Sequence, residues 1–286
     1  MTIGELLNLG TKVLLEVEID TARLDCQLLL GKVLNKEKLY LMMNNDEEVS
    51  NDNKEEFLKI LNKRKAKMPI KYILGEGDFM GLDFYVEEGV LIPRSDTEVL
   101  VEDTLAKISE DAEVNICDLC CGTGAIGIAL AYYKKNIKVD CIDYYDIPEK
   151  VTQKNIIRNN LEDRVNFIKS DLLLEPIKQN KKYDILVSNP PYIRDEEIDT
   201  LMSDVKDYEP RTALSGGKDG LVFYRKIVDD SIKVLKGNGI LSFEIGYDQG
   251  EEVKNLMIAS GYKEVKIIKD LAGLDRVVTG KLCNID

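Results

Sequence analysis

Apolar residues in the first 70 positions recur at helical intervals. Leu6 and Leu14 belong to one such series, and Leu24 and Leu28 belong to the next. Spacings of three, four and seven residues place apolar side chains on one face of a helix. The pattern predicts a small bundle of helices, the last of which ends near Pro69.

The pattern then changes twice. Between residues 72 and 92, four glycines separate short apolar and aromatic pieces, which predicts a β-hairpin that links two domains. A helix follows, with Ser95 or Thr97 as its expected cap.

From residue 114 onward, strands and helices alternate. The strands are predicted at 114–118, 138–142, 165–168, 183–188, 239–245, 263–268 and 276–282, and the longer helices near 124–134, 147–160, 220–236 and 249–260.

Alternation of this kind is typical of a mainly parallel sheet covered by helices on both faces. No long helix separates the last two strands, so we expect them to pair antiparallel at an edge. The predicted fold is α/β, with a Rossmann-like seven-stranded domain at 94–286, a hairpin linker at 73–93 and a helical bundle at 1–72.

Composition and charge narrow the function classes. The chain has 286 residues, of which 44% are hydrophobic, and no segment resembles a signal peptide or a membrane span. We therefore expect a cytoplasmic protein that does not bind membranes. Residues 1–75 hold 12 basic and 12 acidic residues, so the remainder carries the whole net charge of −13. Such an acidic domain is poorly suited to DNA, whose phosphates require a basic surface.

The cysteines do not indicate a metal site. Cys117 and Cys120 have CxxC spacing, but a second ligand pair is lacking and the chain has no histidine. We expect reduced cysteines and no bound metal. The absence of histidine also excludes Ser-His and Cys-His nucleophilic catalysis.

A glycine turn follows the first predicted strand of the sheet. It comprises Cys120, Cys121, Gly122, Thr123 and Gly124, and its glycines allow the backbone to approach a ligand closely. The spacing is not the G-x-G-x-x-G of dinucleotide-binding proteins. Together with the motif described below, the turn indicates S-adenosylmethionine as the cofactor, with S-adenosylhomocysteine as the product.

Two further strand ends are expected beside this turn. Asp143 ends the second strand, where a carboxylate can accept hydrogen bonds from both ribose hydroxyls. A helix cap is the alternative role for Asp143, but Asp146 is better placed for that cap. Asp171 and Leu172 end the third strand and are expected to flank the adenine, although Asp171 is nearly as well suited to capping.

The most specific motif is the tetrapeptide Asn189, Pro190, Pro191 and Tyr192, which follows the apolar run at 183–187. An amide nitrogen is a weak nucleophile, so catalysis must hold it in line with the methyl donor. The Asn189 side-chain oxygen and the Pro190 carbonyl can accept its two hydrogens, and consecutive prolines leave no competing local N–H. Tyr192 can stack on a planar amide or base. A rigid turn with a packed tyrosine is the structural alternative.

Motifs along nearly the whole chain resemble the bacterial release-factor glutamine methyltransferase family (PrmC or HemK). They are Ala-Arg-Leu-Asp at 22–25, Pro-Ile-Lys-Tyr-Ile-Leu-Gly at 69–75, Leu-Ile-Pro-Arg-Ser-Asp-Thr-Glu at 91–98, Asn-Pro-Pro-Tyr at 189–192, Tyr-Glu-Pro-Arg at 208–211, the segment 213–221 and Asp-Leu-Ala-Gly-Leu-Asp-Arg at 270–276.

The resemblance implies a class I methyltransferase that methylates N5 of the glutamine in the Gly-Gly-Gln loop of peptide-chain release factors. It implies that residues 120–124, Asp143, Leu172 and Asn189 contact the cofactor, that residues 189–192 hold the glutamine, and that the helical domain binds the release factor. We expect the enzyme to be a monomer. The chain departs from the family where Cys120 replaces glycine, Cys121 replaces threonine and Leu172 often has an aromatic counterpart.

Three alternatives remain open at this stage. A sister enzyme could methylate a glutamine of a ribosomal protein. An adenine-N6 methyltransferase for DNA or RNA would share Asn-Pro-Pro-Tyr, although the acidity of the chain argues against it. A catalytically silent module could use the same fold to bind a translation factor.

Overall fold

The computed structural model describes residues 1–283. Its chain forms two compact units. The first comprises Met1–Glu76 and Met202–Tyr208, and the second comprises Gly77–Leu201 and the chain from Glu209 onward. No sequence pattern indicated that residues 202–208 group with the helical unit. The predicted domain end at residue 286 lies outside the described residues.

The first unit is built from amphipathic helices. They are α1 (Ile3–Leu15), α2 (Ala22–Leu34), α3 (Lys38–Met43), α4 (Asn51–Lys65) and α5 (Ile70–Leu74). Thr2 and Glu5 form a capping box at the start of α1, in which each side chain bonds the other residue's backbone N–H. Leu6, Leu14 and Phe57 are fully buried in the shared core.

Polar contacts in this unit satisfy its buried groups. The Arg64 guanidinium donates to Asp25 at 2.7 Å, and both side chains are almost fully buried. The Tyr208 hydroxyl donates to the carbonyl of Ala66 at 2.6 Å, which ties the 202–208 segment to the end of α4.

The second unit contains a β-hairpin, apart from its first residue Glu76, and a seven-stranded sheet. The strands are β1 (Glu76–Phe79), β2 (Leu82–Tyr85), β3 (Val114–Leu119), β4 (Ile137–Asp143), β5 (Val165–Lys169), β6 (Tyr183–Ser188), β7 (Leu235–Glu244), β8 (Tyr262–Lys269) and β9 (Asp275–Leu282). The sheet order is β5-β4-β3-β6-β7-β9-β8. β9 is antiparallel to both neighbours, and the other pairs are parallel.

Helices cover both faces of this sheet. They are α6 (Glu98–Ala106), α7 (Ala125–Tyr133), α8 (Asp146–Arg158), α9 (Leu174–Lys178), α12 (Val222–Val234) and α13 (Gly250–Ala259). Two shorter helices are α10 (Ser203–Lys206), which belongs to the first unit, and α11 (Arg211–Leu214), which belongs to the second. Alternate residues of β3 enter different cores, since Ile116 packs on one face and Cys117 on the other. The predicted fold class is confirmed, including the antiparallel pair at the edge.

Five short helices, α3, α5, α9, α10 and α11, were not predicted, because runs of four to six residues are too brief to establish a helical period. The expected end of the helical run at Pro69 was wrong, since α4 ends at Lys65 and Pro69 is the cap residue from which α5 begins. No helix in the described part of the chain has the length and apolarity of a membrane span.

Candidate active site

The site lies where the order of the sheet reverses. β3 is central, with β4 and β5 on one side. After β5 the chain crosses to the other side of β3, where it forms β6. Ligands of open α/β sheets bind at the carboxyl ends of the strands at such a point. A cavity of about 410 Å³ opens there, and the segments after β3, β4, β5 and β6 line it.

The turn after β3 has a left-handed backbone at three positions. Cys120, Gly122 and Gly124 have φ angles of 59°, 54° and 76°. A Cβ at Gly124 would come within 2.8 Å of Thr152 Cγ2, whereas one at Gly122 would enter open space. Residues 120–123 line the cavity, and Gly124 brings the chain into α7. The predicted turn therefore has the backbone shape of a ligand cradle with room above Gly122.

Cys120 is the residue of this turn whose backbone conformation would suit glycine better than an L-residue. A left-handed backbone costs an L-residue roughly 1–2 kcal/mol, partly offset by the greater freedom of glycine in the unfolded chain. We expect Cys120→Gly to keep its activity and its melting temperature. Cys120→Val should lose several degrees, because a β-branched residue resists positive φ. Thermal melts and cofactor titrations of both variants check this, and equal losses in the two would contradict it.

All six cysteines are free thiols. Burial raises the pKa of Cys117 and Cys121 well above the ordinary thiol range. A hydrogen bond with Cys121 lowers the pKa of Cys141, but burial and the nearby carboxylates raise it overall, so these three thiols stay protonated and unreactive. Within residues 1–283, no group of three or more cysteine or acidic side chains is arranged to hold a metal ion.

Asp143 organises the cradle with both carboxylate oxygens. Oδ2 accepts the N–H of Gly122 at 3.0 Å, and Oδ1 accepts those of Tyr144 and Tyr145 at 2.8 and 3.3 Å. Burial raises its pKa, and these three N–H donors oppose that rise. The carboxylate lines the cavity and retains lone pairs for a ligand.

The helix cap expected at Asp146 was wrong. Asp146 is already inside α8 and pairs with Lys169, and the cap residue Tyr145 makes no side-chain cap bond. After β5, Ser170 Oγ accepts the N–H of Glu175 at 3.0 Å. Asp171 and Leu172 line the cavity, and Leu172 is held at a φ of 47°.

The Asn-Pro-Pro-Tyr segment begins directly after β6. The Ser188 hydroxyl donates to the carbonyl of Leu119 at 2.7 Å, which joins the ends of β6 and β3. Asn189 and Pro191 line the cavity, whereas Pro190 is buried and Tyr192 is partly exposed. The Tyr192 hydroxyl lies 3.3 Å from Glu244 Oε1, and its carbonyl accepts from Gln249 at 3.0 Å.

Sequence reasoning missed two polar residues next to this segment. Thr97 makes no cap bond at α6, contrary to expectation; its Oγ1 accepts the Asn189 amide at 3.3 Å. Glu244 ends β7 and is 2% exposed. Burial raises the pKa of Glu244 to about 7, against the lowering effects of Thr97, Arg276 and Tyr192. An acidic residue at the end of an apolar strand was the available signal for Glu244.

Asp118, the buried acid at the end of β3, makes stability depend on pH. Burial raises its pKa to about 7, although its Oδ2 accepts the N–H of Gly127 at 2.8 Å. The folded protein holds this proton at pH values where the unfolded chain releases it, so the stabilisation is complete below pH 4 and is lost as pH rises through 7.

We expect Asp118→Asn, which cannot ionise, to remove this dependence. Between pH 5 and pH 8, its free energy of unfolding should fall by about 3 kcal/mol less than that of the wild type, at roughly 1.4 kcal/mol per pKa unit. Urea unfolding at the two pH values measures the difference. Identical falls in the two proteins would contradict the account.

Two family models match this chain. Residues 5–75 match the family model of the PrmC N-terminal domain, and residues 95–243 match that of the methyltransferase small domain. The chain is 50% identical over 281 residues to a release factor glutamine methyltransferase of Clostridium botulinum, covering 98% of this chain and 99% of the relative. It is 46% identical to the same-named protein of Clostridium acetobutylicum, covering 97% and 98% of the two chains.

Among solved structures, a methyltransferase from Pyrococcus furiosus is similar to this chain with a TM-score of 0.53. The match covers 78% of this chain and 99% of the other, at 18% identity. This similarity supports the fold.

Proposed function

Because the chain belongs to the release factor glutamine methyltransferase family, we propose that it methylates N5 of the glutamine in the Gly-Gly-Gln loop of peptide-chain release factors. The family and the fold imply S-adenosylmethionine as the methyl donor. The observation that carries the proposal is the position of Asn189, which lines the same cavity as the turn after β3.

The residues of the cavity fit this cofactor. Its volume of about 410 Å³ lies in the usual range for small-molecule sites. The absence of a side chain at Gly122 leaves room for the methionine portion, the Asp143 carboxylate suits the ribose hydroxyls, and Leu172 offers an apolar contact to the adenine. The bound cofactor supplies an electrophilic methyl group on a sulfonium, and S-adenosylhomocysteine is the product.

The acceptor nitrogen requires orientation above all. Its lone pair is delocalised into the carbonyl, so it must be held in line with the methyl group. In our proposal, Asn189 Oδ1 and the Pro190 carbonyl each accept one of its hydrogens, and Tyr192 completes the wall. Positioning of this kind can lower a barrier by about 7–11 kcal/mol. The proton then leaves after methyl transfer, without a dedicated base.

The proposal also assigns a role to each part of the chain. Residues 1–72 would bind the release factor, 73–93 would link the domains, and 94–286 would bind the cofactor and carry out the chemistry. Residues 5–75 match the model of the PrmC N-terminal domain, which supports the first assignment. We propose a cytoplasmic monomer that does not bind DNA.

Mass spectrometry of a release factor incubated with enzyme and cofactor tests the proposal. We expect a gain of one methyl group on the loop glutamine and none on a release factor with that glutamine replaced by alanine. Transfer to a ribosomal protein or to an adenine-containing oligonucleotide instead would favour the alternative enzymes. Absence of cofactor binding would indicate a silent binding module.

A further inference from the structure

We propose that Gln249 is a positioning residue for methyl transfer, whose buried side chain fixes the C-terminal end of the Asn-Pro-Pro-Tyr segment beside the cavity. The inference rests on the proposed function, since it concerns the segment that would hold the acceptor glutamine. Its structural basis is a set of hydrogen bonds and close backbone contacts within the second unit.

The two prolines make this segment stiff, but they do not fix where it lies. Each proline ring fixes one backbone dihedral, and neither proline has an N–H with which to anchor the backbone. The start of the segment is held, because the Ser188 hydroxyl bonds the carbonyl of Leu119 and so joins β6 to β3. A stiff segment that is held at one end can still pivot. The position of the Pro190 carbonyl therefore depends on what holds Tyr192 at the other end.

Gln249 holds that end through the backbone of Tyr192. Gln249 is 3% exposed, and its Nε2 donates to the carbonyl oxygens of Tyr192 at 3.0 Å and Gly220 at 3.4 Å. Its Oε1 accepts the N–H of Gly246 at 3.1 Å. Backbone carbonyls only accept and a backbone N–H only donates, so this is the one orientation of the amide that satisfies all three groups.

The place of Gln249 in its own helix indicates a role outside that helix. It is the N-cap residue of α13, a position at which serine, threonine, asparagine and aspartate are preferred because their short side chains bond the first turn. Gln249 makes no such bond. Its side chain reaches instead to a residue 57 positions earlier in the chain. Polar residues that depart from their local preference in this way are often found at functional sites.

Two glycines and an acid surround Tyr192 on its other sides. A Cβ at Gly216 would lie 2.7 Å from Tyr192 Cα, and one at Gly220 would lie 2.5 Å from both the Tyr192 carbonyl oxygen and Gln249 Nε2. The Tyr192 hydroxyl lies 3.3 Å from Glu244 Oε1. Contacts with distant segments therefore set the position of both the backbone and the side chain of Tyr192.

Loss of the Gln249 amide should slow methyl transfer without weakening cofactor binding. A misplacement of about 1 Å can cost roughly 10²-fold in rate when a reaction depends on alignment. The cofactor turn is held by other side chains, since Asp143 accepts the N–H of Gly122 and the Thr152 hydroxyl donates to the carbonyl of Gly122, each at 3.0 Å. A shift of Tyr192 leaves these bonds in place.

Gln249→Met tests the inference, because methionine has a similar length but no hydrogen-bond donor. We expect kcat for methylation of release factor to fall about 10- to 100-fold, while the dissociation constant of S-adenosylhomocysteine changes less than about threefold. Met257→Ala is the control for general destabilisation of α13: Met257 is fully buried beside Gly280 of β9, and its variant should lose stability but keep kcat. Near-normal kcat in Gln249→Met, or equal losses in both variants, would overturn the inference.

A second matched pair disturbs the same contact from the other side, so the test does not depend on the folding of Gln249→Met. Gly220 and Gly261 both have a left-handed backbone, with φ angles of 74° and 93°, but a Cβ at Gly261 would enter open space. Gly220→Ala should therefore lower kcat, and Gly261→Ala should not.

The double variant of Gln249→Met and Gly220→Ala adds a readout that a purely structural role would not give. Because both substitutions break one contact, their effects on kcat should not multiply. Multiplying effects, or equal losses of kcat in Gly220→Ala and Gly261→Ala, would overturn the inference. Failure of the wild type to methylate release factor would instead overturn the proposed function, so the two failures can be told apart.

Discussion

Asn189→Ala should almost abolish methyl transfer while leaving the fold intact. The substitution removes the oxygen that we assign to one hydrogen of the acceptor amide. Loss of one preorganised hydrogen-bonding group in an active site typically lowers kcat by about 10²–10³-fold. Asn189 lines a cavity, and its side chain makes one hydrogen bond within residues 1–283, to Thr97, so little stability depends on it. Single-turnover methylation of a release factor measures the effect.

The matched control is Asn166→Ala on β5. Asn166 is exposed, and among the described residues its side chain makes one hydrogen bond, a long one of 3.5 Å to Asp140, so removal of this side chain should change neither rate nor stability. Near-normal turnover in Asn189→Ala would show that the acceptor site has been misplaced. Unfolding of that variant in circular dichroism would show that Asn189 is mainly structural.

Asp143→Ala should weaken cofactor binding by about 10²-fold. A hydrogen bond to a charged group contributes about 1.5–3 kcal/mol, and each 1.4 kcal/mol changes affinity tenfold. The loss has two sources in this structure. The ribose hydroxyls would lose their acceptor, and the N–H groups of Gly122, Tyr144 and Tyr145 would lose theirs. Isothermal titration with S-adenosylhomocysteine measures the dissociation constant.

Two further variants serve as controls for this prediction. Asp146→Ala removes a neighbouring exposed acid that pairs with Lys169, and it should bind the cofactor normally. Asp143→Asn keeps one carbonyl acceptor without the charge, and it should fall between the wild type and the alanine variant. An unchanged dissociation constant in Asp143→Ala would remove Asp143 from the cofactor site.

The sheet could be predicted from the sequence because each strand carries a short apolar run of its own. Predicted and observed strands mostly differ by one or two residues; β7 is the exception, since it begins at Leu235 and was expected from 239. The location of the candidate site could be predicted from the order of strands and turns. Parallel strands bring their carboxyl ends to one edge, so the turn at 120–124, Asp143 and Asn189 could be placed together before the fold was known.

What could not be predicted depends on contacts between distant segments. Thr97 has the appearance of a helix cap in the sequence, but its hydroxyl meets Asn189, which is 92 residues away. Asp146 likewise pairs with Lys169 on a neighbouring strand instead of capping α8. Local patterns do not encode such competition, and polar residues that depart from their local preference are often found at functional sites.

A crystal structure with S-adenosylhomocysteine and a glutamine-containing release-factor peptide tests the central claim most directly. We predict that the side-chain nitrogen of the glutamine lies 2.7–3.2 Å from both Asn189 Oδ1 and the Pro190 carbonyl oxygen, in line with the sulfur. The cofactor ribose should contact Asp143. A glutamine bound elsewhere, or a Pro190 carbonyl turned into the protein interior, would contradict the account.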